Sequence, residues 1–194
     1  LSKKMVADFI YDQNYKNHIF TENEIQFKEF ENCTFENCNL SRCEYLGVVF
    51  SDCTFIRCDF TEAKINYVAL RNCEFIGCQL TSVNFAMTDQ VLYDYRFTDC
   101  NMDFTQFYGL KMKRMTFINC SLISADFMKT DLTEVLFDHC DLHLAVFTES
   151  IANKADFFSS YNYTIDPEKT KLEKAIFSQN GLQGLLQKYK LVIR

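Results

Sequence analysis

Residues 116–147 read TFINC SLISADFMKT DLTEVLFDHC DLHLAVF, and Phe117, Leu122, Phe127, Leu132, Phe137, Leu142 and Phe147 recur in them at every fifth position. The interval extends backwards through Met112, Phe107, Met102 and Phe97 to Leu92. After a slip of two residues it resumes at Phe85 and runs back through Phe75, Phe55 and Phe35 to Phe20, with every member large and apolar. Helices repeat every 3.6 residues and strands every 2, so neither sustains a period of five. A second column stands two residues before the first, and all ten cysteines fall in it, from Cys33 and Cys38 to Cys120 and Cys140. Two inward residues flanking one outward residue make a very short extended segment, and the other two residues of each five must turn a corner. Each face then puts one large and one small apolar side chain inside.

The longer repeat sets the number of faces. Phe35, Phe55, Phe75, Phe97, Phe117, Phe137 and Phe157 are spaced 20, 20, 22, 20, 20 and 20, and the cysteines from Cys38 to Cys140 follow the same rhythm. Four faces per coil account for both columns, with like side chains stacked at about 4.8 Å. The reading is an all-β, four-sided solenoid of about seven coils. The slip, within Ala86–Val91, is expected as a bulge at a corner, and Leu110 and Met115 are large for the small-residue column.

Composition agrees with a globular chain. The 194 residues are 48% hydrophobic and 24% charged, with 26 acids against 20 bases for a net charge of −6. That balance disfavours direct contact with nucleic-acid phosphates. No apolar run reaches the ~18 residues that cross a bilayer. Ten cysteines among 194 residues fall short of a disulfide scaffold, so a reduced, cytoplasmic setting is expected.

Ala125-Asp126-Phe127, Thr130-Asp131-Leu132, Ala155-Asp156-Phe157 and Cys38-Asn39-Leu40 carry a further signal. The chain resembles the pentapeptide-repeat proteins, whose pattern is Ala-Asp/Asn-Leu followed by two variable residues. The resemblance runs from about residue 20 to residue 157 and implies a right-handed quadrilateral β-helix. Residues 1–19 are expected as an N-terminal cap around Val6, Phe9, Ile10 and Tyr15, because His18, Asn23 and Lys28 interrupt the small column. Residues 158–194 are expected as a C-terminal cap and dimerisation segment. In it Ser178 N-caps a short helix bearing Leu182, Leu185, Leu186 and Tyr189, followed by a strand at Leu191, Val192 and Ile193. Such a tail is similar to that of the bacterial quinolone-resistance (Qnr-type) and microcin-immunity branch. There it joins two solenoids end to end, which implies a homodimer through the C-terminus.

No phosphate-binding loop, nucleophile elbow or HExxH motif is present, and a rod filled with Phe offers no cleft, so neither catalysis nor a cofactor is expected. Asp138-His139-Cys140-Asp141-Leu142-His143 holds metal-ligand types, but the lattice sends Cys140 inward and the histidines to different corners, so no metal site is expected. Charge says more. Residues 21–150 carry 20 acids and 10 bases, a net −10. Asp59, Asp126, Asp131, Asp141 and Asp156 precede large core residues and suit corner hydrogen bonds. Asp52, Asp94 and Glu134 fall on one side of different coils, with Asp99 and Asp103 nearby, and these five form the candidate interaction surface. A narrow acidic rod can enter a basic DNA-binding groove by charge complementarity. The Qnr-type resemblance names the partner this implies: DNA gyrase or topoisomerase IV, bound by a DNA mimic that modulates poisoning by quinolones. The alternative is an interaction scaffold for an unrelated protein.

Overall fold

The structure, a computed structural model, describes residues 8–91 and 93–192. Val6, Leu92 and Ile193 lie outside the described residues. Strands Asn14–Lys16, Thr34–Glu36, Thr54–Ile56, Cys73–Ile76, Tyr95–Thr98, Thr116–Ile118 and Leu136–Asp138 stack as one seven-stranded parallel sheet. The register sets Phe35, Phe55, Phe75, Phe97, Phe117 and Phe137 on successive rungs. Six full turns separate the first of these strands from the seventh, against the seven coils expected.

This sheet is the second face of a four-sided coil. The first face is a shorter parallel sheet of Asp8–Tyr11, Lys28–Glu31, Val49–Ser51 and Ala69–Arg71. Single parallel bridges join the rungs of the other two faces, as in Asn39–Asp59–Gln79 on the third and Asn84–Gln106–Asp126 on the fourth. Corners turn through a left-handed residue: Asn32, Asn37, Arg42 and Gly47, with φ of 52°, 50°, 56° and 61°, turn four successive corners. Asn tolerates this region through local hydrogen bonding, and Gly because it lacks a Cβ.

The large column alternates between Phe and an aliphatic residue from Phe97 to Phe147, which sends rings to the second and fourth faces and aliphatic chains to the first and third. Ring centroids lie 5.3 Å apart for Phe75 and Phe97 and 5.1 Å for Phe117 and Phe137, all nearly parallel. On the fourth face, Phe107 and Phe127 stack at 5.0 Å, and the two columns meet edge to face, as Phe127 meets Phe137 at 5.6 Å. Both arrangements suit the ring quadrupole.

The ladder passes both expected boundaries. Residues 8–16 supply two strands in register, with Tyr15 stacked 5.1 Å from Phe35, and bridges continue to Lys171 and Ile176. The polar residues that break the small column fit for local reasons. A helical turn at Glu22–Ile25 exposes Asn23 and buries Ile25, and Glu24 accepts hydrogen bonds from the Thr21 amide at 2.8 Å and pairs with His18. Thr21, followed by His18, holds the Glu24 carboxyl down to about 2.

The two-residue slip, expected at a corner, falls instead on the first face after a short 3-10 turn at Phe85–Met87, and the shorter sheet ends there. The Tyr93 hydroxyl substitutes for the missing strand. It donates to the Lys111 carbonyl at 2.6 Å and accepts from the Lys111 amide at 2.8 Å. Tyr95, Leu110 and Met115 are all buried near the slip, so the oversized small-column residues pack without breaking register.

The tail forms turns at Gln179–Gly181 and Gln187–Tyr189 around the helix Gln183–Leu186, with the Ser178 hydroxyl accepting from the Gly181 amide as its cap. Gly181 and Gly184 lie so close to Tyr163 that a Cβ at Gly184 would sit 2.3 Å from the Tyr163 carbonyl. The expected terminal strand is absent at Leu191 and Val192, which have no paired neighbour among the described residues. Strand geometry needs an edge to pair with, and the tail turns through a left-handed Lys190, φ 51°, before reaching one.

Candidate protein-interaction surface

The five acids proposed from sequence do not form one surface. Asp52, Asp94 and Glu134 share the corner between the first and second faces. Asp52 accepts from the Asn72 amide group at 2.5 Å, and Asp94 lies 3.9 Å from Arg96. Glu134 is flanked above and below by Arg114 at 3.0 Å and Lys154 at 3.1 Å, which hold its carboxyl below the usual range and cancel its charge locally. Asp99 occupies the next corner, bonded to Asn119 at 3.1 Å, and Asp103 lies on the third face, accepting from Ser121 at 2.5 Å and from the Ile123 amide at 3.0 Å.

The acids assigned to corner hydrogen bonds do make them. Asp59, Asp126, Asp131, Asp141 and Asp156 each accept from the backbone amide two residues on, at 2.8 to 3.1 Å. These Asx turns fix the corner without removing the charge. The third face consequently carries acids and few bases. Its rungs 77–82, 99–104, 119–124 and 139–144 contain no Lys or Arg, while Asp99, Asp103 and Asp141 lie on them. Sequence reasoning set Asp141 aside as structural. Sorting the charges by their place in the coil, with the two-residue slip allowed for, rather than by column would have exposed this base-free strip.

The cysteines have a role that size alone did not reveal. Cys58, Cys100 and Cys140 donate from Sγ to the carbonyls of Phe35, Phe75 and Phe117 in the preceding coil, at 3.2, 3.4 and 3.4 Å. Thr130 and Ser160 make the same bond to Phe107 and Phe137. The small column therefore selects a compact side chain with a donor at its tip, which partners a buried carbonyl. Burial pushes the Cys53 thiol up to about 12. All ten cysteines are free and buried.

Among the described residues no group of His, Cys, Asp and Glu converges as a metal site, and His139 instead hydrogen-bonds Asp138 at 2.7 Å. A groove of about 1080 Å³ separates the tail from the last coils, bordered by His143, Tyr161, Tyr163, Gln187 and Leu191. Among the described residues no carboxylate lines it. No helix among the described residues is long and apolar enough to cross a membrane.

On the tail, Leu185 packs against the core and Leu186 is half-buried. Leu182 and Tyr189 are exposed, as are Leu191 (58%) and Val192 (84%). Lys188 ties the segment down, 2.6 Å from Asp166 and 2.8 Å from Glu168.

The sequence matches the family model described as pentapeptide repeat region over residues 48–127 and 68–147, and that described as pentapeptide repeats over 29–66. No curated protein sequence matches. A trypsin-treated variant of QnrB1, a plasmid-mediated fluoroquinolone resistance protein, shares the fold with a TM-score of 0.63 at 14% identity, over 96% of this chain and 100% of that one. Full-length QnrB1 gives 0.54 at 13% identity, over 94% and 100% of the two chains. Its five-residue rhythm, its square coil and these matches place the chain in the pentapeptide-repeat family.

Proposed function

We propose that this chain is a non-enzymatic, cytoplasmic binding protein. It presents the base-free acidic strip of its third face to the DNA-gripping groove of a type II topoisomerase, DNA gyrase or topoisomerase IV, and so modulates poisoning by quinolones. The observation that carries the reading is the strip holding Asp99, Asp103 and Asp141 with no Lys or Arg on its four rungs. A fixed row of carboxylates on a straight solenoid is the chemistry that a groove built for phosphates recognises. The fold shared with QnrB1 supports the choice of target class. In this reading the exposed Leu182, Tyr189, Leu191 and Val192, together with Leu185, Leu186 and Ile193, join two copies end to end.

The test is gyrase supercoiling with rising concentrations of the protein, with and without a fluoroquinolone. Protection or inhibition is expected, weakened at least tenfold in the triple variant Asp99→Asn, Asp103→Asn, Asp141→Asn, whose amides keep the hydrogen-bond acceptors. No binding at low salt and no effect on either activity rejects the reading. A second reading rests on the second face, where half-buried Ile56 and Ile76 are outward neighbours and Ile118 follows beyond Thr98. Tight, salt-insensitive capture of an unrelated protein, lost on Ile76→Lys, would favour that scaffold role.

A further inference from the structure

The first face divides by charge along the rod. In its N-terminal half, Asp8, Asp12, Glu29, Glu31 and Asp52 outnumber Lys28 and Arg71. In its C-terminal half, Lys111, Lys113, Arg114, Lys154, Lys171 and Lys174 outnumber Asp131, Glu134 and Glu173. The change of sign falls at the slip, where Tyr93 links the two halves. Four rungs, beginning near residues 8, 28, 48 and 68, lie before it, and four, beginning near 110, 130, 150 and 170, lie after it.

We infer that this face is self-complementary: a second copy of the chain lies on it antiparallel, the acidic half of each copy against the basic half of the other. A two-fold axis in the plane of the interface, crossing the rod at the slip, maps each corner column onto its own reverse. Asp12 then lies opposite Lys174 of the second copy, Asn32 opposite Lys154 and Asn72 opposite Arg114. The one acid brought against another acid on this corner away from the axis is Asp52, opposite Glu134, and Glu134 already has Arg114 and Lys154 beside it. Phe9 and Tyr11, exposed and stacked 6.2 Å apart at the acidic end, add apolar area and come against the basic end. A parallel arrangement would set like half against like half, which complementarity forbids. The third face, on the far side of the square coil, stays free, so the inference does not depend on the topoisomerase reading.

Sedimentation velocity of the full chain tests it, in about 0.1 M and about 1 M salt, between which the Debye length falls from ~10 to ~3 Å. Association at low salt is expected to weaken at least tenfold at high salt. The variant Lys154→Glu with Lys174→Glu, and the variant Asp12→Lys with Glu31→Lys, should each fail to self-associate through this face. An equimolar mixture of the two should restore the dimer, and that rescue also shows that both variants fold. Association indifferent to salt and to both variants, or abolished only by Leu191→Glu in the tail, overturns the proposal. A variant pair that fails to restore association while each member keeps the wild-type circular dichroism overturns it as well.

Discussion

A non-glycine residue in the left-handed region costs about 1 kcal/mol, and this chain accepts that cost at many corners because coil closure requires it. Most such residues are Asn, Asp or flexible polar chains, but Phe104 holds φ 59° with its ring 56% exposed. Phe104→Asn is expected to raise stability by about 1 kcal/mol in urea unfolding, since little burial is lost. Gly47 is the opposite case. A Cβ there would lie 2.9 Å from the Phe27 ring at φ +61°, so Gly47→Ala should cost about 1–2 kcal/mol by the same measurement. The buried thiols set a pH limit. Cys53 has its folded value raised from 9 to about 12, so the folded state holds its proton more tightly than the unfolded chain does. The stabilisation is complete below 9 and is lost as pH rises towards 12, which gives alkaline unfolding monitored by circular dichroism. Ellman's reagent should find no thiol in the native protein at neutral pH and ten after denaturation.

Among the elements, the slip and the tail depend on single side chains. Tyr93→Phe removes both hydrogen bonds to the Lys111 backbone and leaves its amide and carbonyl to solvent. A loss of about 0.5–1.5 kcal/mol is expected, with faster hydrogen exchange at Lys111 than at the regular rungs on either side. The tail is clasped by Lys188, which holds the Asp166 and Glu168 carboxyls below their ordinary values. Groups depressed in the folded state stabilise it above the ordinary carboxylate range and cease to do so as pH falls through their lowered values. Hydrogen exchange of residues 179–190 should therefore accelerate on acidification while the coils stay protected. Gly184→Ala should release the same segment at neutral pH, because its Cβ meets Tyr163.

For the whole molecule, each coil rests on the one before and the one after, so stability is a sum of neighbouring interfaces. Phe117 is buried between Phe97 at 5.3 Å and Phe137 at 5.1 Å. Phe117→Ala removes both contacts and should cost about 3–5 kcal/mol, enough to uncouple the two halves of the rod into separate unfolding transitions in calorimetry. Charge acts at this scale too. A net −10 over residues 21–150 describes the rod as a whole, yet the molecule distributes it as one base-free strip, on third-face rungs 77–82, 99–104, 119–124 and 139–144, and one face split between acid and base.

The large and small columns, the four faces, the alternation that stacks Phe on Phe and the Asx role of Asp59, Asp126 and Asp131 were all legible in order along the chain. Each depends on spacing alone, and stacking in register turns spacing directly into contact. The N-terminal boundary was harder, because His18 and Asn23 break the pattern and only the turn at Glu22–Ile25 shows how they leave the core. The tail's missing strand was hidden for the same kind of reason: apolar residues suggest an extended segment, but a strand exists only where an edge is available to pair with it. Likewise, the sequence lists its carboxylates without saying which lysine stands a coil away. Arg114 and Lys154, twenty residues off on either side, offset the charge of Glu134, and only the closed coil brings those groups within reach.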